Sequence, residues 1–187
     1  TGDGRYDPAT NRYANAVVAL TPRDLKLKDW YAPSNADWLF KRDLDMNATG
    51  PVFEYKGREY TAHTSKECRV WLLDTSGLGG EDHRTPVYRT PLICNEEVHF
   101  AGAGVWGALA TWAEANGTRW ILVPFWGPKH SEFTAPIEHG QVVQGAVAAF
   151  KLEEKGGKLQ LSPAWLSRNI WQADPVEGAG AGTFELA

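Results

Sequence analysis

The sequence lacks three features, and each absence excludes a class of protein. No apolar run approaches the ~20 residues that a membrane-spanning helix needs. No lysine or arginine cluster stands out, and a formal net charge of −4 argues against a nucleic-acid-binding surface. No long segment carries a clear helical period, so a helical bundle is not predicted. What remains is one folded domain of 187 residues, long enough for a sizeable core.

Cysteine is scarce, with Cys68 and Cys94 alone in the chain. They show neither a CxxC motif nor metal-ligand spacing. The pattern favours two separate buried thiols, with a disulfide bridge as the alternative. An initiator methionine, a signal peptide and a lipidation motif are also lacking, and the chain opens on Thr1-Gly2-Asp3-Gly4. We therefore expect either a processed N-terminus or a piece of a longer protein.

Strand signals are abundant, and nine tryptophans suit a β-rich protein with large aromatic spacers. Short runs of apolar, β-branched and aromatic residues alternate with turns of small and polar residues. The predicted strands are 17–20, 25–31, 52–55, 58–63, 68–73, 108–112, 119–125, 146–150 and 158–161. In the second of them, alternation places Leu25, Leu27 and Tyr31 on one face. The segment 106–115 could pass for a helix, but Gly107 and the Asn116-Gly117 turn favour a strand.

The strand and turn order recurs weakly along the chain, which predicts propeller blades. A small twisted sheet cannot bury both faces alone, so blades stack face to face. We expect an all-β partial β-propeller of about two and a half four-stranded blades. The units are an incomplete blade with its connection at 1–50, a blade at 51–105, a blade with an insertion at 106–176, and a flexible tail at 177–187. A propeller usually has ~4–8 blades, so the remaining blades must come from elsewhere.

Several segments together carry a resemblance to a known family. They are TGDGRYD, NAVVALTPRDLKLKDWY, DLDMNATGPVFEYKGRE and TSKECRVWLLDTSG, followed by GTRWILVPFWGP and AVAAFKLEEKGGKLQLSPAW in the last third. On these segments the chain resembles the pyrroloquinoline quinone (PQQ) repeat proteins, which are quinoprotein-dehydrogenase-like β-propellers. The resemblance covers most of the chain and implies a fold of that propeller type.

The resemblance also implies site residues. In catalytic members a metal, Ca²⁺ or a lanthanide, polarises the quinone carbonyl, and a carboxylate removes the alcohol proton. By resemblance Asp43 takes the position of the base, Asp3 and Asp45 those of metal ligands, and Lys66 that of the cation beside the quinone. The chain departs from the family at Arg42, where the family has Trp. A guanidinium beside Asp43 is expected to hold that carboxylate ionised.

The resemblance implies a segment of a PQQ-dependent alcohol or sugar dehydrogenase, with PQQ and Ca²⁺ or a lanthanide as possible cofactors. The alternative is a degenerate propeller that binds no quinone and acts as a scaffold or interaction surface. A third interpretation is carbohydrate binding through exposed tryptophan faces. The expected partners are the remaining propeller blades, from the same or another polypeptide, and the expected location is periplasmic or extracellular. Asp43 and Asp45 could equally form a solvated loop cluster, and Asp3 and Lys66 could be ordinary turn residues.

Overall fold

The computed structural model describes residues 4–96, 103–172 and 183–184 of the chain. The protein is mostly β-strand (42%) with 6% helix, which confirms the all-β prediction. Its sheets are largely antiparallel, and within the described residues none of them closes on itself. No helix in this part of the chain is long and apolar enough to cross a membrane.

The elements follow one another as short strands with a single α-helix among them. In chain order they are β1 (Tyr6–Asp7), a 3-10 turn (Pro8–Thr10), β2 (Arg12–Tyr13), β3 (Val17–Leu20), β4 (Leu27–Tyr31), α1 (Ala36–Lys41), β5 (Val52–Tyr55), β6 (Arg58–Thr64), β7 (Val70–Asp74), β8 (Tyr88–Arg89), β9 (Ala110–Ala113), β10 (Arg119–Trp126), β11 (Ile137–Glu138), β12 (Gly145–Lys155), β13 (Lys158–Leu166), β14 (Trp171–Gln172) and β15 (Thr183–Phe184).

The central sheet is a four-stranded antiparallel meander in the order β5-β6-β7-β8. Its strands form because β-branched, aromatic and aliphatic residues alternate between two faces with the period of two that a strand imposes. Val70 and Leu72 of β7 face one hydrophobic cluster, and Trp71 and Leu73 face another. The sheet is therefore covered on both faces.

A second sheet packs against the Val70 and Leu72 face. Its order is β11-β13-β12-β10-β9, antiparallel except for the short parallel pairing of β11 with β13. Alternate residues of β10 and β12, such as Ile121, Val123 and Phe150, enter the same cluster as the central sheet. The two sheets thus share one core. The segment between β10 and β12, within the predicted blade at 106–176, contains β11.

The other face of the central sheet is covered by the N-terminal part of the chain. The β3–β4 hairpin supplies Tyr31, α1 supplies Leu39, and the following loop supplies Leu44 and Met46. Trp71 is almost completely buried among them. The protein is therefore a stack of three layers, with the central sheet in the middle. The boundaries predicted between blades stay predictions, and most of the predicted tail lies outside the described residues.

The structure corrects one local prediction. Leu25 is not part of β4, because its φ of 53° places it in the left-handed region. Leu25 and Leu27 are both exposed. Of the three residues predicted to share one buried face, Tyr31 alone is buried. The connection predicted within 1–50 contains the short helix α1. Six residues are too few to produce a helical period that sequence patterning can detect.

The prediction of two separate thiols is wrong. Cys68 and Cys94 form a disulfide that spans 26 residues, with both cysteines fully buried in the core shared by the two large sheets. Cys68 lies just before β7, and Cys94 lies beyond β8. The bond therefore ties the entry of the most buried strand to the segment that leaves the central sheet.

Removing this bond is expected to destabilise the fold. Closing a loop of this length restricts the unfolded chain, and we expect the double variant Cys68→Ala/Cys94→Ala to lose about 2–4 kcal/mol of unfolding free energy. Urea denaturation of the oxidised protein and of the variant measures the difference. Reduction of the wild-type protein serves as the matched control and should give a loss of similar size. An unchanged denaturation midpoint in both would contradict the prediction.

Candidate functional site

A polar turn at 65–68 joins β6 to β7 and is buried although it carries two charges. The backbone N–H of Cys68 donates to the carbonyl of Ser65 at 2.9 Å, and the Ser65 hydroxyl accepts the N–H of Glu67 at 3.1 Å. The N–H of Lys66 donates to the carbonyl of Asp45 at 3.1 Å, which fastens the turn to the loop after α1. Ser65, Lys66 and Glu67 are all buried. Charged residues in such a position need specific partners.

Lys66 finds its partners in two aspartates. Its Nζ lies 3.0 Å from Asp43 Oδ1 and 3.1 Å from Asp45 Oδ2. The side chain of Lys66 is 11% exposed and that of Asp45 7%, whereas that of Asp43 is 44% exposed. The cluster is therefore buried at Asp45 and open to solvent at Asp43.

Asn15 fixes the buried carboxylate from the other side. Its amide nitrogen donates to Asp45 Oδ1 at 3.4 Å, and its amide oxygen accepts the backbone N–H of Met46 at 2.9 Å. Asn15 itself is fully buried. Because both ends of this amide are used, it orients Asp45 relative to the loop and to Lys66.

The two carboxyl groups have opposite pKa shifts. A hydrogen bond with Asp45 and the Lys66 ammonium lower the pKa of Asp43 below its ordinary value. Burial, followed by the hydrogen bond with Asp43, raises the pKa of Asp45, and Lys66 and Asn15 only partly offset this rise. Burial works against the charge of Lys66, but hydrogen bonds to the two aspartates outweigh it and raise its pKa. A proton taken up by the pair therefore resides on Asp45.

Two segments from the second half of the chain complete the surroundings of Lys66. Asn95 donates to the Lys66 carbonyl at 2.7 Å, and the ring of Trp106 lies 5.1 Å from Lys66 Nζ. Gly104 approaches so closely that a Cβ there would lie 2.6 Å from the Lys66 carbonyl oxygen. Trp106 remains 48% exposed. A cation under an exposed aromatic ring is a cation–π contact at the surface of the cluster.

Glu67 forms a second ion pair in the same turn. Arg69 Nε donates to Glu67 Oε1 at 2.9 Å, and Arg69 also donates to the Thr90 carbonyl at 3.0 Å. The Asn35 amide approaches both oxygens of Glu67 at 3.4 Å. The turn is thus held in place by ion pairs of two consecutive residues, Lys66 and Glu67.

Three residues with positive φ values lie around this turn. Asp43, Cys68 and Asn95 all have positive φ values, of 55°, 69° and 62°. Aspartate and asparagine tolerate this conformation, but it is unusual for cysteine and costs about 1–2 kcal/mol. The disulfide and the hydrogen bonds of the turn hold Cys68 there. Residues in strained conformations cluster at functional sites, which makes this turn the leading candidate.

Three of the four residues named by the resemblance meet in space. Asp43, Asp45 and Lys66 form the cluster, and Asp3 lies outside the described residues. The expectation for Arg42 is wrong: its guanidinium stacks over the Trp38 ring at 5.3 Å, and the cation beside Asp43 is Lys66. Sequence reasoning missed Asn15 and Asn95, because a lone asparagine in a loop carries no signal of what it will bind.

The donor set does not fit a Ca²⁺ or lanthanide ion. Such ions take about 6–8 oxygen ligands. Here the two carboxylates contact an ammonium group, and the Asn15 oxygen is used by Met46. Among the residues that the structure describes, no group of three or more His, Cys, Asp or Glu side chains could hold a metal ion. Lys66 supplies the positive charge that a metal would supply in this place.

Comparison of the chain with protein-family models, with curated proteins and with solved structures finds no match.

Lys66 should be essential for stability if it neutralises a buried carboxylate. We expect Lys66→Met to lose about 2–4 kcal/mol of unfolding free energy, since Asp45 is left buried without its cation. The difference in unfolding free energy between wild type and variant should become smaller as the pH falls, because protonation of Asp45 removes the uncompensated charge. Denaturation of wild type and variant between pH 4 and pH 8 measures both effects.

The matched control is Lys26→Met, which breaks the exposed pair with Asp24. Its effect on the free energy of unfolding should be much smaller than that of Lys66→Met, because exposed ion pairs contribute little. Adding Asp45→Asn to Lys66→Met should recover part of the lost stability. Equal effects of the two lysine variants would show that the buried cluster contributes nothing special.

His63 of β6 gives a separate pH dependence. Burial lowers the pKa of its ring from 6.5 to about 4, and its Nε2 lies 2.9 Å from the Thr61 hydroxyl. In the unfolded chain His63 binds a proton near pH 6.5, whereas in the folded protein it does so only near pH 4. The contribution of neutral His63 to stability is therefore complete above pH 6.5 and is lost as the pH falls from 6.5 to 4. We expect His63 to account for a loss of up to about 2 kcal/mol between pH 7.5 and pH 5. His63→Gln should flatten the profile by that amount, and a variant with the wild-type slope would refute the assignment.

Proposed function

We propose that this chain is part of a quinoprotein-like β-propeller in which the cofactor site has become a structural ion network, and that it acts as a scaffold or interaction module completed by further blades. Support for the propeller comes from the stacking of sheets. The central meander and the second sheet follow one another in sequence and share one core face to face, and the β3–β4 hairpin forms a third layer. Stacked meanders of this kind are what consecutive blades would form.

The observation that carries the non-catalytic assignment is the position of Lys66. Its ammonium group lies within 3.1 Å of both aspartates, where a quinone enzyme would need an open cation and a metal. Asp43, at the position of the base, is kept ionised by a lowered pKa and is therefore a weak proton acceptor. A quinone carboxylate would have to displace two carboxylates to reach Lys66. The cluster is better suited to holding the loop after α1 against the central sheet.

A PQQ-dependent dehydrogenase is the second candidate, and one specific observation favours it. The exposed carboxylate of Asp43 and the exposed ring of Trp106 both contact the ammonium group of Lys66. Bound PQQ would supply the hydride acceptor in such an enzyme. Asp43 would then accept the alcohol proton, and Trp106 would offer a flat apolar contact.

Quinone and metal content of the natively purified full-length protein separates the two candidates. We expect an absorbance scan and elemental analysis to find no stoichiometric PQQ, Ca²⁺ or lanthanide, because Lys66 already neutralises the aspartates. Addition of excess PQQ with Ca²⁺ or La³⁺ should give no saturable change in tryptophan fluorescence. The intact mass of the same sample shows whether further blades belong to the same polypeptide.

One quinone and one metal ion per protein would overturn the non-catalytic assignment. In that case Asp43→Ala should abolish alcohol oxidation while quinone remains bound. Asp37→Ala provides the control, since this aspartate lies in the first turn of α1 outside the cluster.

A further inference from the structure

The β3–β4 hairpin carries apolar side chains on both of its faces. Val17 and Ala19 of β3 pack against the buried cluster of the N-terminal layer. Val18 and Leu20 alternate with them along the strand and are exposed. Leu27 of β4 lies directly opposite Leu20 and is exposed on the same face. A hairpin that rests on a core with one face normally presents polar residues on the other, and this one presents valine and leucine.

The turn that closes the hairpin exposes a further leucine. Residues 22–28 are all exposed, so the tip projects from the body of the protein. Leu25 is 69% exposed, and its φ of 53° lies in a region that is unfavourable for leucine. Four of the eleven large apolar residues that are exposed in the described part of the chain lie between 18 and 27. Single exposed apolar residues are ordinary, whereas a cluster of them marks a contact surface.

Hydrogen bonds within the turn hold Leu25 in this position. Its N–H donates to the Thr21 carbonyl at 3.0 Å, and the N–H of Thr21 donates to the Lys26 carbonyl at 2.9 Å. The Thr21 hydroxyl accepts the N–H of Lys26 at 3.0 Å and donates to the carboxylate of Asp24. The turn is therefore ordered, and it presents Leu25 to solvent as a fixed feature.

The same tip is basic. Arg23, Lys26 and Lys28 are exposed, and Asp24 is the one carboxylate between residues 20 and 28. Three cations and one carboxylate leave a charge of +2, although the whole chain carries −4. Lys26 is paired with Asp24 at 2.9 Å, and no ion pair among the described residues includes Arg23 or Lys28. The next carboxylate, that of Asp29, is held toward the body of the protein by a backbone hydrogen bond of 2.8 Å.

Leucines interleaved with basic residues fit a membrane surface better than a protein partner. Lysine is depleted at protein–protein interfaces, and their cores exclude charge. At an anionic bilayer both kinds of side chain are satisfied, because the apolar ones enter the boundary between headgroups and acyl chains while lysine and arginine reach the phosphates. Each cation close to such a surface adds to the attraction.

We propose that the tip of the hairpin, residues 20–28, docks the protein on an anionic phospholipid surface. Leu20, Leu25 and Leu27 enter the boundary of headgroups and acyl chains, and Arg23 and Lys28 contact lipid phosphates. The hairpin lies on the membrane and does not cross it. Neither a quinone nor a metal takes part, so this inference is independent of the proposed function.

Flotation with lipid vesicles tests the proposal. The protein should bind saturably to vesicles of equal parts phosphatidylcholine and phosphatidylglycerol, and much more weakly to pure phosphatidylcholine. High salt should release part of it from the mixed vesicles, because salt screens the cations. Leu25→Gly should lower the partition coefficient at least ~10-fold, since a leucine no longer leaves water. Glycine suits a positive φ, so this variant is expected to fold as well as wild type.

Matched controls separate the tip from other exposed residues. Val143→Gly removes an exposed valine between β11 and β12 and should leave binding unchanged. Arg23→Gln/Lys28→Gln should lower partitioning onto the mixed vesicles at least ~10-fold and leave the weak partitioning onto pure phosphatidylcholine as it is. Arg89→Gln/Lys158→Gln removes two exposed cations of β8 and β13 and should bind like wild type.

The proposal fails if the protein does not bind the mixed vesicles, if Leu25→Gly binds as well as wild type, or if the two double variants lose binding equally. Dimerisation without lipid that Leu25→Gly abolishes would show instead that the hairpin contacts a second copy of the chain. If circular dichroism shows that Leu25→Gly does not fold, Leu20→Ser replaces it with the same expected loss, and unchanged binding of that variant would also reject the proposal.

Discussion

Strand β7 is the element on which both hydrophobic clusters are built. Val70 and Leu72 enter the core shared with the second sheet, while Trp71 and Leu73 enter the core beneath the N-terminal layer. A strand buried on both faces has no solvent side to absorb an error of register, since a shift by one residue would exchange its two sets of side chains. The positions of the other layers therefore depend on how β7 is fixed at its start. That start is the turn at 65–68.

This dependence explains why charged residues are buried in the turn. A buried ion pair is expensive to desolvate and adds little stability over an apolar replacement, but its breakage is costly. Lys66 can be satisfied only when the Asp43–Asp45 loop lies beside the turn, and the disulfide of Cys68 holds the same turn to the segment after β8. The polar network therefore selects one arrangement of loop, turn and sheet. Catalysis is not needed to account for it.

Patterning located the strands well, but it predicted β12 and β13 five or six residues too short. The strand at 52–55 was predicted with its observed bounds, and β6, β7 and β10 within one or two residues. It failed where a local backbone feature overrides the pattern, as at Leu25 with its positive φ. The disulfide could not be predicted, because a separation of 26 residues says nothing about which segments meet in space. Only the family resemblance indicated that Asp43, Asp45 and Lys66 belong to one site. Nothing in the sequence indicated that Lys66 pairs directly with both aspartates.

The two ends of the sheet pair satisfy their charges in different ways. At the Lys66 end, cation and carboxylates come from the same chain, and the Asn15 amide completes the buried part. At the Arg119 end, Glu154 and Glu153 are paired with lysines, and the buried Nε of Arg119 has no hydrogen-bond partner among the described residues. A closed network resists the entry of a ligand, because any new partner must displace an existing one. On this argument the closed ion network at the Lys66 end is better suited to holding the loop after α1 than to exchanging a ligand.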